Sequence, residues 1–147
     1  MIEIAIKKHV RYIFGITIFV FILNKFYLRP WVLKNELPEF FQIIVLSIPN
    51  LIEAIVGTLI SIGVLFQLRQ YIGMEVGNFN DKIVYLAAVS IAGLYVISQE
   101  FKFHNLGGNN VYDPYDVYAS IIGLILTLGL VQAFGFIKER KTNLANS

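Results

Sequence analysis

Two aspartates stand three residues apart where a turn sequence meets an apolar run, in GGNNVYDPYDVYASIIGLILTLGL from Gly107. Their carboxylates could accept hydrogen bonds from a ligand or hold a cation. They also suit the start of a helix, because Asp113 is a preferred N-cap type and Pro114 fits the first helical position. Negative charge at Asp116 is favoured near the positive end of the helix dipole. We therefore expect Asp113 to cap the helix, and a ligand contact stays open for it.

Asp116 differs from Asp113 because it heads a stripe of small residues on the same predicted helix. Ala119, Gly123 and Thr127 follow at intervals of four, the spacing that lets membrane helices approach closely. We expect Gly123 and Thr127 to mediate helix packing and Asp116 to point into the packed interior, where it becomes a candidate ligand contact.

A third carboxylate, Glu53, lies near the middle of the longest apolar segment. A charged side chain at the centre of a bilayer costs roughly 2.5–3.5 kcal/mol on insertion scales, so Glu53 is expected to face protein or water. Asn50, Gly57 and Ser61 share its helix face by spacing. This stripe predicts a ligand contact at Asn50 and Glu53 and helix packing at Gly57 and Ser61.

Pro49 lies one turn before Glu53 and leaves the Val45 carbonyl without its usual donor. A bend beside a carboxyl group favours a site for a proton, a cation or a lipid head group. The alternative is a neutral Glu53 that hydrogen-bonds a neighbouring helix.

Glu100 ends the third apolar segment, at the expected membrane surface. An acidic residue at the C-terminal end of a helix opposes the dipole, so helix stability does not explain it, and it is a further candidate ligand contact. His104 has Glu100 and the two aspartates as neighbours in sequence, a donor set that could suit a divalent cation. The spacing matches no metal-binding motif, and we predict neither a metal nor another cofactor.

Composition places the chain in a membrane. Of its 147 residues 56% are hydrophobic and 15% are charged, against about 25% charged in soluble domains. Four apolar segments have the length that a transmembrane helix needs, about 20 residues. The predicted fold is all-α, a single transmembrane domain over residues 1–147 built as a bundle of four transmembrane helices. The helices are expected at about 11–28, 40–68, 83–100 and 114–137.

Basic residues orient the bundle. Eight lysines and arginines fall in the two tails and the middle loop, against four on the other side. The positive-inside rule therefore puts the N- and C-termini in the cytoplasm and the aspartate-bearing loop outside. The chain is therefore expected to be a multi-pass membrane protein.

Several function classes are disfavoured. The chain has no cysteine, which excludes disulfides and thiolate chemistry. Its net charge of +2 and scattered basic residues do not indicate nucleic acid as a partner. Neither a G-x-S-x-G nor a phosphate-binding G-x-x-x-x-G-K motif occurs. Because the sequence shows no nucleophile–base pair, an enzyme is the less favoured function class.

The region from the third to the fourth helix, roughly 40 residues, resembles the VanZ-like family of small bacterial membrane proteins. The resemblance is carried by a Glu at a helix end, a short loop, and D-x-x-D leading into a helix with small residues. In this chain these are Glu100, Asp113, Asp116 and Gly123.

The chain also departs from the pattern of that family. Gln99 precedes the Glu where the family has a Gln after it, Ser120 stands where Asn is usual, and Thr127 stands where a second Gly is usual. The resemblance implies a location in the bacterial inner membrane and a role at the cell envelope, in glycopeptide resistance for some members, and no defined reaction.

The leading functional prediction is a small VanZ-like protein of the cell envelope with an outward-facing polar site. Glu53, Glu100 and Asp116 would form its charged centre and contact a lipid-linked or cationic ligand. The alternatives are a proton or cation transport or channel component and a non-catalytic membrane assembly subunit. Expected partners are membrane lipid and either a second copy of the chain or another membrane protein.

Overall fold

A computed structural model describes residues 5–72, 80–100 and 113–138, without the side chain of Glu100. Apart from one isolated β-bridge, its regular structure is helical. The elements are α1 (Lys8–Leu23), a π-helical segment (Asn24–Leu28), α2 (Arg29–Lys34), α3 (Glu39–Tyr71), α4 (Asp81–Glu100) and α5 (Pro114–Phe134).

Four helical spans are long and apolar enough to cross a membrane. Lys8–Lys34 has 27 residues, Glu39–Tyr71 has 33, Asp81–Gln99 has 19 and Pro114–Phe134 has 21. The outward surface of the bundle carries many large apolar side chains, as a surface against lipid would. The all-α prediction is confirmed, and the number of membrane-compatible helices agrees with the four apolar segments.

The first span continues past its expected end at Leu28. At the π-helical segment the Arg29 N–H donates to the Asn24 carbonyl, five residues back. A new α-helical segment then begins with Pro30 in its first turn, where a missing N–H is tolerated. The stretch from Arg29 to Lys34, which the sequence places in a loop, is therefore helical.

The fourth span ends at Phe134, three residues before its expected end at Ile137. Gly135 stops the helix with φ +71° and ψ 162°, a conformation that is essentially restricted to glycine. The Lys7 ammonium donates to the Phe134 carbonyl at 2.6 Å and neutralises the negative end of the helix.

The two chain ends pair with each other. Ile6 and Ile137 form an antiparallel β-bridge. The Lys7 N–H donates to the Phe136 carbonyl at 3.0 Å, and the Lys138 N–H donates to the Ala5 carbonyl at 2.8 Å. We call this part of the bundle the termini end.

The contacts of Phe136 at the termini end show the relative directions of α3, α4 and α5. Phe136 stacks on Phe66 near the end of α3, with ring centroids 6.0 Å apart. The Phe136 N–H also donates to the Tyr85 hydroxyl near the start of α4, at 3.0 Å. The end of α3, the start of α4 and the end of α5 therefore meet, so α3 and α5 run parallel and α4 runs antiparallel to both.

Helices α3 and α5 approach each other closely at Gly123 of α5. A Cβ built there would lie 2.6 Å from the Leu51 carbonyl oxygen and 3.0 Å from the Ala54 Cβ of α3. Thr127, 1% exposed, turns its hydroxyl onto the Gly123 carbonyl. Gly57 differs, because a Cβ there would meet nothing within 4 Å. Ser61, which shares the face of Gly57, is half-buried.

Replacing Gly123 by alanine is expected to lower the free energy of unfolding by about 1–3 kcal/mol, because the methyl group would press against backbone that cannot rotate away. The matched change is Gly57→Ala, which enters open space and should leave stability unchanged or higher. Thermal unfolding of both variants in one detergent tests this, and equal melting temperatures would contradict the close contact.

Replacing Gly135 by alanine is expected to cost about 1–3 kcal/mol, because an L side chain strains that backbone conformation. It would also displace Lys7, whose Nζ lies 2.8 Å from the position of the new Cβ. Gly129→Ala is the control, because Gly129 is an exposed helical residue with no atom within 4 Å of a built Cβ. A loss of stability in both variants would contradict a special role for Gly135.

Candidate functional site

Asp113 starts α5. It has extended backbone angles, and its carboxylate accepts the Tyr115 N–H at 2.9 Å. This is N-cap geometry, so the capping prediction is confirmed. One carboxylate oxygen of Asp113 is thereby committed to the helix.

Asp116 lies in the first turn of α5 and is half-buried. Its Oδ1 is buried and has no hydrogen-bond partner among the described residues. Ser120 lies one turn further along the same face and is 1% exposed, and its Oγ also lacks a partner there. The Asp116 Oδ1 and the Ser120 Oγ are thus buried on one side of α5 with unused hydrogen-bonding capacity.

Ser47 of α3 lies at the same depth as Ser120. Ser47 precedes Leu51 by four residues and Ser120 precedes Gly123 by three. Because Gly123 contacts Leu51 and the helices are parallel, both serines lie about one turn, roughly 5 Å, from that contact towards the same end. The Ser47 Oγ is buried without a partner as well. We call Ser47, Asp116 and Ser120 the polar layer.

The polar layer is suited to binding rather than to reaction. A carboxylate accepts hydrogen bonds, and hydroxyls accept or donate them, so an ammonium, amide or hydroxyl group is the kind of partner that each of these residues could bond. Among residues 5–72, 80–99 and 113–138, no group of three His, Cys, Asp or Glu could hold a metal ion. The half-buried carboxylate of Asp116 favours a positively charged guest at this position.

Asn24 donates a hydrogen bond to the Val45 carbonyl, which Pro49 leaves without its usual helical donor. The Asn24 Nδ2 donates to the Val45 carbonyl at 3.0 Å, and Asn24 is fully buried at 0% exposure. The Asn24 Oδ1 has no partner among the described residues. The free carbonyl is predicted by Pro49 in the sequence, whereas its donor on another helix is not. The available signal was one asparagine in an otherwise apolar segment that needs an amide partner.

The π-helical segment keeps one face of the first span against α3. The buried residues Val10, Thr17 and Asn24 are spaced by seven, whereas the next buried residue, Val32, follows after eight. A π turn adds one residue to a helix. The extra residue therefore restores the same face beyond Asn24, and both halves of the span stay in contact with the bundle.

Glu53 does not join the polar layer. It lies on the side of α3 that carries Ile60 and Val64, which are 53% and 49% exposed. At 3.6 residues per turn it points about 100° from Ala54 and about 160° from Leu51, the residues that contact α5. Glu53 is half-buried and forms no hydrogen bond or ion pair with the described residues.

The geometry therefore does not support a single charged centre built from Glu53 and Asp116, and their common site stays a prediction. Helical spacing identifies which residues share a face, and here the face of Glu53 is turned away from α5. Asn50 is half-buried on the same stripe. The side chain of Glu100 and all of His104 lie outside the described residues, so a contact between Glu100 and Asp116 stays a prediction.

Comparisons with known proteins returned no match. No family model, no curated protein and no solved structure matches the chain. The site is therefore interpreted from its own residues.

Replacing Asn24 by leucine is expected to lower the free energy of unfolding by about 1–3 kcal/mol, because it leaves the buried Val45 carbonyl without a donor. The matched change is Asn35→Leu, since Asn35 makes a comparable bond to the Trp31 carbonyl at 2.8 Å on the exposed surface. That variant should stay within about 0.5 kcal/mol of the wild type. Similar melting temperatures for the two variants would show that the Asn24 bond contributes little.

Proposed function

We propose that this chain is an integral membrane protein of the bacterial cell envelope whose outward-facing polar layer binds a lipid-linked or cationic ligand. The observation that carries the proposal is the buried Oδ1 of Asp116 without a hydrogen-bond donor. A buried acceptor left unpaired loses about 1–3 kcal/mol, and more when it is charged. A ligand that supplies an N–H, O–H or ammonium group would recover that free energy.

The position of the polar layer supports a ligand that arrives from the membrane surface. Asp116 is in the first turn of α5, close to the surface that the start of this helix reaches. Ser47 and Ser120 lie deeper along the same contact between α3 and α5. A ligand with a hydrogen-bond-donating head group at the membrane surface and an apolar chain in the bilayer would match this arrangement.

The orientation and family parts of the proposal rest on further residues. The termini end carries Lys7, Lys8, Arg11 and Lys138, so the positive-inside rule favours an outward start of α5. The VanZ-like assignment is supported by the resemblance at Asp113, Asp116 and Gly123.

The face of α3 around Glu53 favours a membrane assembly subunit as the second candidate. Glu53 is half-buried, and Gly57 leaves open space beside it. A carboxyl group turned towards lipid is unfavourable, and a partner helix that covers this stripe would remove the penalty. Transport of protons or cations receives less support, because Glu53 lies on a side of α3 that is turned away from α5, the helix that carries Asp116.

Asp116→Asn is expected to weaken binding of an ammonium-bearing amphiphile by about tenfold or more, because a hydrogen bond to a charged group contributes about 1.5–3 kcal/mol. The probes are dodecylamine, dodecanol and dodecanoate, which share one chain and differ in head group. Binding to purified protein in detergent is measured by native mass spectrometry, and the wild type should favour the amine.

Asp113→Asn is the control, because asparagine caps a helix as well as aspartate does and removes the same charge three residues away. It should keep the preference for the amine. If Asp116→Asn binds all three probes like the wild type and lowers only the melting temperature, Asp116 serves the helix start and the binding proposal fails.

A further inference from the structure

An apolar groove opens at the termini end between the start of α1, the second half of α3 and the segment after α5. Its volume is about 310 Å³. The residues that line it include Val10, Phe14, Leu59, Ile60 and Phe136, and the charged side chain among its lining residues is Arg11. Ile60 is 53% exposed, so the groove is open to the surroundings of α3, which in a bilayer are lipid tails.

Arg11 is available to a ligand. It is exposed, and the ion pair formed by the described residues joins Arg69 to Asp81 at 2.9 Å instead. Lys8 and Lys138 are exposed at the same end. Among the described carboxylates, Asp81 at this end is paired with Arg69, and Asp113 and Asp116 lie at the other end. The described charged side chains around the mouth of the groove are therefore positive.

The depth of Arg11 matches the head-group level of a bilayer. Arg11 and Arg29 are eighteen residues apart on one continuous helical span, which corresponds to about 27 Å along the helix. The hydrocarbon core of a bilayer is about 30 Å thick. With these two arginines at opposite surfaces, the groove begins at one surface and extends into the hydrocarbon beside Phe14 and Ile60.

We propose that the groove binds one acyl chain of an anionic phospholipid whose phosphate pairs with the Arg11 guanidinium. The apolar walls suit the chain, and a guanidinium binds phosphate through paired N–H donors. A lipid without net charge brings its own cation to the phosphate and gains less from Arg11. The groove lies at the opposite end of the bundle from the polar layer, so this proposal is independent of the proposed function.

Native mass spectrometry of the purified protein, with phosphatidylglycerol or phosphatidylcholine of identical chains added, measures the preference. The wild type is expected to favour phosphatidylglycerol about fivefold, the effect of one basic residue near an anionic lipid. Arg11→Gln should bring the ratio close to one, and Arg11→Lys should keep most of it. Arg29→Gln is the matched control, because Arg29 is exposed at the opposite surface and does not line the groove, and it should keep the preference.

A second pair of variants tests the groove itself. Ile60→Trp fills it and is expected to reduce binding of both lipids, whereas Val64→Trp, one turn further on the same side of α3, should not. Both positions are exposed, so folding is expected to survive. The proposal is overturned if Arg11→Gln keeps the preference or if Ile60→Trp binds lipid like the wild type. It is also overturned if Ile60→Trp dissociates a dimer in lipid-free detergent, since the occupant is then a second copy.

Discussion

A helix in hydrocarbon must satisfy every backbone polar group from within the protein, and Pro49 breaks that rule for the Val45 carbonyl. The repair comes from another helix, through the Asn24 amide at 3.0 Å. Much of the first span is exposed, so this bond gives it a fixed depth and rotation against α3. The π-helical segment that begins at Asn24 then keeps the remainder of the span on the same face. One missing N–H on α3 is thus matched by a donor on the first span, and this bond adds to the apolar contacts of Val10 in fixing how that span docks.

The contact between α3 and α5 has a different origin, because it depends on the absence of a side chain at Gly123. Threonines near this contact are satisfied locally: Thr58 donates to the Ala54 carbonyl and Thr127 to the Gly123 carbonyl, each one turn back in its own helix. Ser120, by contrast, is equally buried and makes no such bond. A buried hydroxyl that bonds a carbonyl of its own helix is accounted for by helix packing. The oxygens of the polar layer, in contrast, have no hydrogen-bond partner among the described residues.

Sequence reasoning succeeded where the cause is local. Apolar length predicts the four spans, and Asp113 caps α5 because N-cap chemistry needs only the next two residues. Sequence reasoning did not predict features whose cause lies on another helix. The spacing of Asn50, Glu53 and Gly57 identifies a common face, but which neighbour covers that face depends on packing that spacing does not encode. For the same reason Asn24 escaped notice, since its role is defined by a carbonyl twenty-one residues away.

The groove and the polar layer lie at opposite ends of the bundle and carry charged groups of opposite sign, and this has a physical consequence. At the termini end, cations stand beside an apolar groove, and Lys7 and Lys138 also take part in the contact between the chain ends. At the other end, Asp113 and Asp116 stand at the positive end of α5, where the helix dipole favours negative charge. An anionic group is therefore attracted to Arg11 at the groove and a cationic group to Asp116 in the polar layer. Because α3 and α5 run the length of the bundle together, the close contact at Gly123 holds these two chemically different sites at fixed depths relative to each other.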